Sequence, residues 1–177
     1  MWPVHLGAQS LSVRSEGDQL RIAAPQLRLL TKDVIDRLHD GGSVGYSFQI
    51  TISSDRNGAP LEQITYRFVF SYDLWEEKYA VTRLEPSPRA ISHLSASAAE
   101  AWCLDALAIK PASLAADRSF WVGLVYRAEE ARPPAASNDS GLTLSGLVDI
   151  FSRRNPKQPL SGSRTAGPFR LSDLRRK

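Results

Sequence analysis

Ten consecutive residues, "VGYSFQITIS" at 44–53, alternate without a break. Val44, Tyr46, Phe48, Ile50 and Ile52 fall on one side, and Gly45, Ser47, Gln49, Thr51 and Ser53 on the other. Successive side chains of a strand point to opposite faces, so the pattern dictates a strand with one apolar and one polar face. A second run answers it. Ile64, Tyr66, Phe68, Phe70 and Tyr72 share one face, and Gln63, Thr65, Arg67 and Ser71 the other. Asp55-Arg56-Asn57-Gly58 lies between them as a turn, since Asn and Gly tolerate positive φ. It partly echoes a calcium loop, but the remaining acidic ligands and the terminal Glu of such a loop are missing. Tyr79, Val81 and Arg83 carry the pattern into a third strand. In "FVFSYDLWEEKYAV" (68–81), Asp73 then opens the connecting turn, Trp75 is expected to cap the apolar face, and Glu76, Glu77 and Lys78 face water.

Three such runs in succession build an antiparallel meander whose apolar face needs a cover. Residues 9–24 read as a small hairpin, with Leu11 and Val13 alternating before Glu16-Gly17-Asp18, and Leu20, Ile22 and Ala24 after it. Pro25 ends its second strand. Residues 31–39 read as a short helix, with Thr31 as N-cap, Asp33 in the first turn, and Val34, Ile35 and Leu38 as its apolar stripe. Gly41-Gly42 stops it. Beyond Pro86 and Pro88, residues 91–94 suit a short edge strand. Ser97-x-x-Glu100 matches a capping box before an Ala-rich helix at about 97–109, with Trp102 against the sheet. Phe120, Val122, Leu124 and Tyr126 alternate again, with Trp121 and Val125 opposite. A strand apolar on both faces is central or covered.

"ARPPAASNDSG" (131–141) has linker composition. Leu144, Leu147, Val148 and Phe151 then repeat at i, i+3, i+4, i+7, the stripe of an amphipathic helix. The readings divide the chain into a β-rich domain (1–130), a linker (131–141), an amphipathic helix (142–152) and a basic tail (153–177). That tail has too few apolar residues for a core and is expected to be disordered. The predicted fold is mainly β: an antiparallel sheet or sandwich of six to seven strands with two or three short helices.

Charge is distributed unevenly. Residues 152–177 hold eight basic residues against Asp173 alone, a charge of +7; the other 14 basic and 18 acidic residues leave the body at −4. Arg153, Arg154, Lys157, Arg164, Arg170, Arg175, Arg176 and Lys177 are therefore the candidate contacts to an anionic partner. A protein partner or an anionic membrane surface suits a short amphipathic helix followed by a basic run. Nucleic acid is the alternative, but Phe169 is the one aromatic in this stretch able to stack on a base. A solubilising tail with no partner is the third reading.

No arrangement for catalysis emerges from the sequence. His5, His39 and His93 lie in different elements without metal-ligand spacing. Cys103 sits mid-helix, where a buried inert thiol is common, and as the single Cys it excludes an internal disulfide framework. Glu76-Glu77 and Glu129-Glu130 are neighbours, which on a strand point to opposite faces and do not make an acid/base pair. Nucleophile-elbow, phosphate-loop and dinucleotide signatures are missing. No catalytic residue, metal ligand, cofactor or small-molecule substrate is assigned. No run of eighteen apolar residues occurs, so no helix spans a membrane. "MWPVHLGAQSLSV" reads either as the end of an export signal with Ala8 last, or as a frayed N-terminus in the cytoplasm.

The order "VIDRLHDGGSVGYSFQITI", then "ITYRFVFSYDLWEEKYAV", resembles a family of uncharacterised bacterial exported proteins classed as a domain of unknown function. Their pattern is a helix, a β-meander and a Y-D-x5-Y-x-V hairpin, carried here by Tyr72, Asp73, Tyr79 and Val81. The likeness spans roughly residues 9–130. It implies a periplasmic or envelope-associated setting and no assigned activity. The expected role is then a non-enzymatic binding or assembly module of the bacterial cell envelope. A cytoplasmic protein using its basic tail on nucleic acid is the alternative.

Overall fold

The computed structural model describes residues 11–130 and 160–175. The chain runs β1 (Ser12–Glu16), β2 (Gln19–Ala23), α1 (Lys32–His39), β3 (Val44–Ser53), β4 (Pro60–Asp73), β5 (Lys78–Glu85), β6 (Arg89–Leu94), α2 (Ala96–Asp105), β7 (Ala108–Ile109), β8 (Ser119–Glu130), β9 (Ser161–Arg170) and α3 (Leu171–Leu174). Two antiparallel sheets result. One is ordered β6-β5-β4-β3-β8-β9 and the other β1-β2-β7. The mainly-β expectation holds.

The alternation at 44–53 works as read. Tyr46, Phe48, Ile50 and Ile52 are buried, as are Tyr66, Phe68 and Phe70 on β4 and Phe120, Val122 and Leu124 on β8. The register pairs Tyr46 with Phe68 and Phe48 with Tyr66. Phe48 and Phe68 meet edge to face at 6.0 Å, and Trp102 from α2 packs edge-on against Phe68 at 6.1 Å. The small sheet and α2 cover this face. Their connection to it is polar as well as apolar. The Tyr66 hydroxyl donates to the Ala108 carbonyl at 2.9 Å. The Tyr46 hydroxyl donates to the Leu29 carbonyl at 2.5 Å, while the Leu29 N–H donates to the Glu100 carboxylate. Both backbone groups of Leu29 are therefore satisfied by side chains, as a loop buried beneath a sheet requires.

Glu100 is thus not the far end of a capping box. The cap is Ser95, whose hydroxyl accepts from the Ala98 N–H at 3.3 Å. The helix starts earlier than expected and stops at Asp105, because Ala108–Ile109 pairs with β2 instead.

The larger correction concerns the tail. Residues 131–159, which include the expected linker, the 142–152 helix, Arg153, Arg154 and Lys157, lie outside the described residues, as do 1–10, Arg176 and Lys177. Residues 161–174, however, are ordered structure within the stretch expected to be disordered. β9 pairs along β8 from Ser119↔Arg170 to Arg127↔Ser161, and Leu171 is buried. An edge strand is held by backbone hydrogen bonds along one side and can be poor in apolar side chains. "SGSRTAGPFR" is such a strand. Gly162 contributes directly: a Cβ there would lie 2.5 Å from the Tyr126 hydroxyl, so glycine lets that ring lie across the β9 backbone. With β9 present, β8 is a central strand, as its two-sided apolar pattern requires.

Candidate functional site

The β4–β5 hairpin ends in an ordered tip. The Asp73 carboxylate accepts from the backbone N–H of Trp75 at 2.8 Å and of Glu76 at 3.1 Å, and Glu77 closes the turn at φ 53°. These two N–H groups, Glu76 first, hold the Asp73 carboxyl below its ordinary value. Trp75 does not cap the apolar face. It is 96% exposed and its neighbour Leu74 57% exposed. The turn requires four residues between Asp73 and Lys78, which carries Trp75 past the end of the sheet and beyond any cover.

The Asp73 contacts set a pH dependence whose sign can be worked out. The folded carboxyl lies below the ordinary 3.8, so its ordering of the turn is complete above that value and is lost as pH falls through the lower one. The amide resonances of Trp75 and Glu76 are expected to titrate together with a midpoint below 3.8. A midpoint at or above that value counts against the turn.

Behind the tip, side chains from three elements converge. Tyr72 and Tyr79 face each other across the hairpin with ring centroids 4.8 Å apart. His39, in the last turn of α1, stacks on Tyr72 at 4.2 Å, and its Nε2 lies 3.1 Å from the Tyr79 hydroxyl. Burial raises the pKa of that hydroxyl, and Tyr72 adds to the effect. On the other side, β6 carries a bulge. Tyr79 pairs with Leu94 and Val81 with Ile91, so Ala80 alone faces both Ser92 and His93. His93 takes φ 61° to accommodate the extra residue. Its Nε2 reaches the Glu76 carboxylate at 2.7 Å, and its Nδ1 lies 2.8 Å from the Ser92 hydroxyl. Tyr72, Asp73, Glu76, Tyr79, Ser92 and His93 line a depression of about 400 Å³ here.

Among the described residues, Glu77 and His93 are the two non-glycine positions with positive φ; His93 lines this depression and Glu77 lies in the turn between two of its lining residues, Glu76 and Lys78. Such backbone is uncommon and costs about 1–3 kcal/mol where it is strained; it gathers at sites where geometry matters more than local ease. Bulges likewise re-aim side chains next to functional sites. No family model, curated protein or solved structure matches the chain. The site therefore stands on its own geometry.

The sequence places His39 and His93 in different elements, as they are here, but does not show what tertiary pairing does with them; His5 lies outside the described residues. Tertiary pairing brings His39 to the Tyr pair and His93 to Glu76. Glu76 and Glu77 remain exposed, as expected. No group of three or more His, Cys, Asp or Glu side chains fit to hold a metal occurs among the described residues. Cys103 is buried, and burial pushes its thiol pKa well up, so it offers no nucleophile.

Three of the basic candidates, Arg164, Arg170 and Arg175, lie among the described residues. Arg170 and Arg175 are exposed on β9 and after α3. Arg164 is 8% exposed on the inner side of β9, with its guanidinium carbon 5.8 Å from the centre of the Tyr126 ring and its Nε and Nη1 without hydrogen-bond partners. Its position beneath the sheet takes it out of any broad basic surface. Arg153, Arg154, Lys157, Arg176 and Lys177, the other five candidates, lie outside the described residues.

Proposed function

We propose that this chain is a binding or assembly module of the bacterial cell envelope that engages a protein partner through the β4–β5 tip. The observation that carries the reading is Trp75: 96% exposed, yet displayed on a turn tied by Asp73. Tryptophan is among the residues that supply most of the energy at protein interfaces. A pre-ordered turn also lowers the entropy lost on docking. The tip favours protein over lipid. Asp73, Glu76 and Glu77 against Lys78 give it a charge of −2, which an anionic bilayer repels and a socket with a basic rim attracts. The envelope setting rests on the resemblance carried by Tyr72, Asp73, Tyr79 and Val81.

The test separates binding from folding. Trp75→Ala is expected to change stability by less than about 0.5 kcal/mol, as at other exposed positions. A photoreactive residue at position 75 of the full chain, expressed in a bacterium, should give a discrete cross-linked protein adduct in the envelope fraction. The same residue in place of Gln63, on the exposed face of β4, should not. Equal cross-linking at both positions, or none at 75, would sink the proposal.

A further inference from the structure

The geometry points to Ser92 as an activated nucleophile, with His93 as its general base and Glu76 as the carboxylate that orients the base, acting in acyl transfer from small esters. The assignment goes beyond the docking role of the tip and does not depend on Trp75. Three contacts in a row carry it. Glu76 lies 2.7 Å from His93 Nε2, and Ser92 Oγ lies 2.8 Å from His93 Nδ1. A carboxylate accepts only, so the Nε2 facing Glu76 carries the ring proton. In the neutral ring Nδ1 is then the free lone pair, and the Ser92 hydroxyl donates to it. This places nucleophile, base and orienting group in a chain of hydrogen-bond contacts, the same order as in serine nucleophiles on unrelated folds, with the two ring nitrogens exchanged relative to the Ser-His-Asp triad.

Two features show that the fold imposes this arrangement. The β6 bulge sets Ser92 and His93 together opposite Ala80, and His93 holds φ 61° to do so. Glu76 comes from a different hairpin, whose turn is fixed independently by Asp73. The depression of about 400 Å³ beside them is open to a small acyl group. The groups remain accessible: the His93 and Glu76 side chains are 67% and 53% exposed.

In the reaction, Ser92 Oγ forms a bond to the acyl carbon while its proton passes to His93 Nδ1. The ester C–O bond then breaks and the leaving alkoxide takes the proton from Nδ1. Water, deprotonated by the same nitrogen, attacks the acyl carbon; the bond to Ser92 Oγ breaks, Oγ takes the proton back from Nδ1, and the carboxylic acid leaves. Esters with good leaving groups, which ask least of oxyanion stabilisation, are the substrate class rather than amides.

p-Nitrophenyl acetate is the probe. The full chain should release nitrophenolate, and peptide mapping should place the acetyl group on Ser92. Ser92→Ala should abolish that modification. His93→Asn, which keeps a residue tolerant of positive φ, should slow acetylation by at least about tenfold, the low side of what a general base contributes. The pH dependence of acetylation should show one ionisation in the parent that vanishes in His93→Asn, which loss of structure alone would not produce. Circular dichroism and melting should match the parent for both variants. Acetyl groups mapped only to lysines, or Ser92 acetylation indifferent to His93→Asn, would overturn the assignment.

Discussion

Changing Phe48 or Phe68 to Ala is expected to cost about 3–5 kcal/mol, the range for truncating a buried Phe. Both rings are almost fully enclosed and touch each other, and Phe68 also meets Trp102. A domain of this size has about 5–15 kcal/mol in total, so either variant sits near the limit of folding. Melting should drop by about 6–20 °C at about 2–4 °C per kcal/mol. The double variant should lose less than the two single losses together, because the edge-to-face contact, about 0.5–1.5 kcal/mol, is lost in either single change. Urea unfolding followed by circular dichroism measures all three. Parent-like melting of both single variants would mean that the alternation faces the other way.

Truncation after Phe151 is expected to destabilise the chain severely. The charge and composition of 153–177 suggest that nothing is lost by removing it. The structure argues the reverse. Deletion removes β9, leaves the outer edge of β8 unpaired from Ser119 to Arg127, and takes away Leu171. Burial of one Leu alone contributes about 1.5–3 kcal/mol. Phe120, Val122 and Leu124 would then lie on an exposed edge strand, a template for aggregation. Truncation after Leu174, which keeps β9 and α3, is expected to melt like the parent. If the shorter chain also does, β9 contributes nothing to the core.

The core was legible because it obeys local rules. Tyr46, Phe48, Ile50, Tyr66, Phe68, Phe70, Val81, Val122 and Leu124 are all buried as their alternation suggested, and Leu38 marks the inner side of α1. Val34 and Trp102 are only half-buried, packed at the margin. Trp75 shows where residue type misleads. Its hydrophobicity argued for burial, but a turn position beyond the last sheet pairing has nothing to be buried against. Ser97-x-x-Glu100 misleads in the same way: the spacing fits a capping box, yet the Leu29 N–H competes for the Glu100 carboxylate and wins.

By itself the sequence determined the strands of the meander and the alternation of Phe120 to Tyr126, which face of each is apolar, and that one antiparallel sheet would need covering, because side-chain alternation with period two is a local property of the backbone. It also determined the hairpin between Tyr72 and Tyr79. Only the tertiary structure decided how far strand pairing extends. β9 joins through backbone hydrogen bonds, which leave almost no trace in side-chain pattern. The structure likewise decided what stands next to what at the end of the sheet. Glu76 meets the neighbours Ser92 and His93 because one bulge and one four-residue turn bring two loops of the meander together, and that proximity is a distance in space with no counterpart in spacing along the chain.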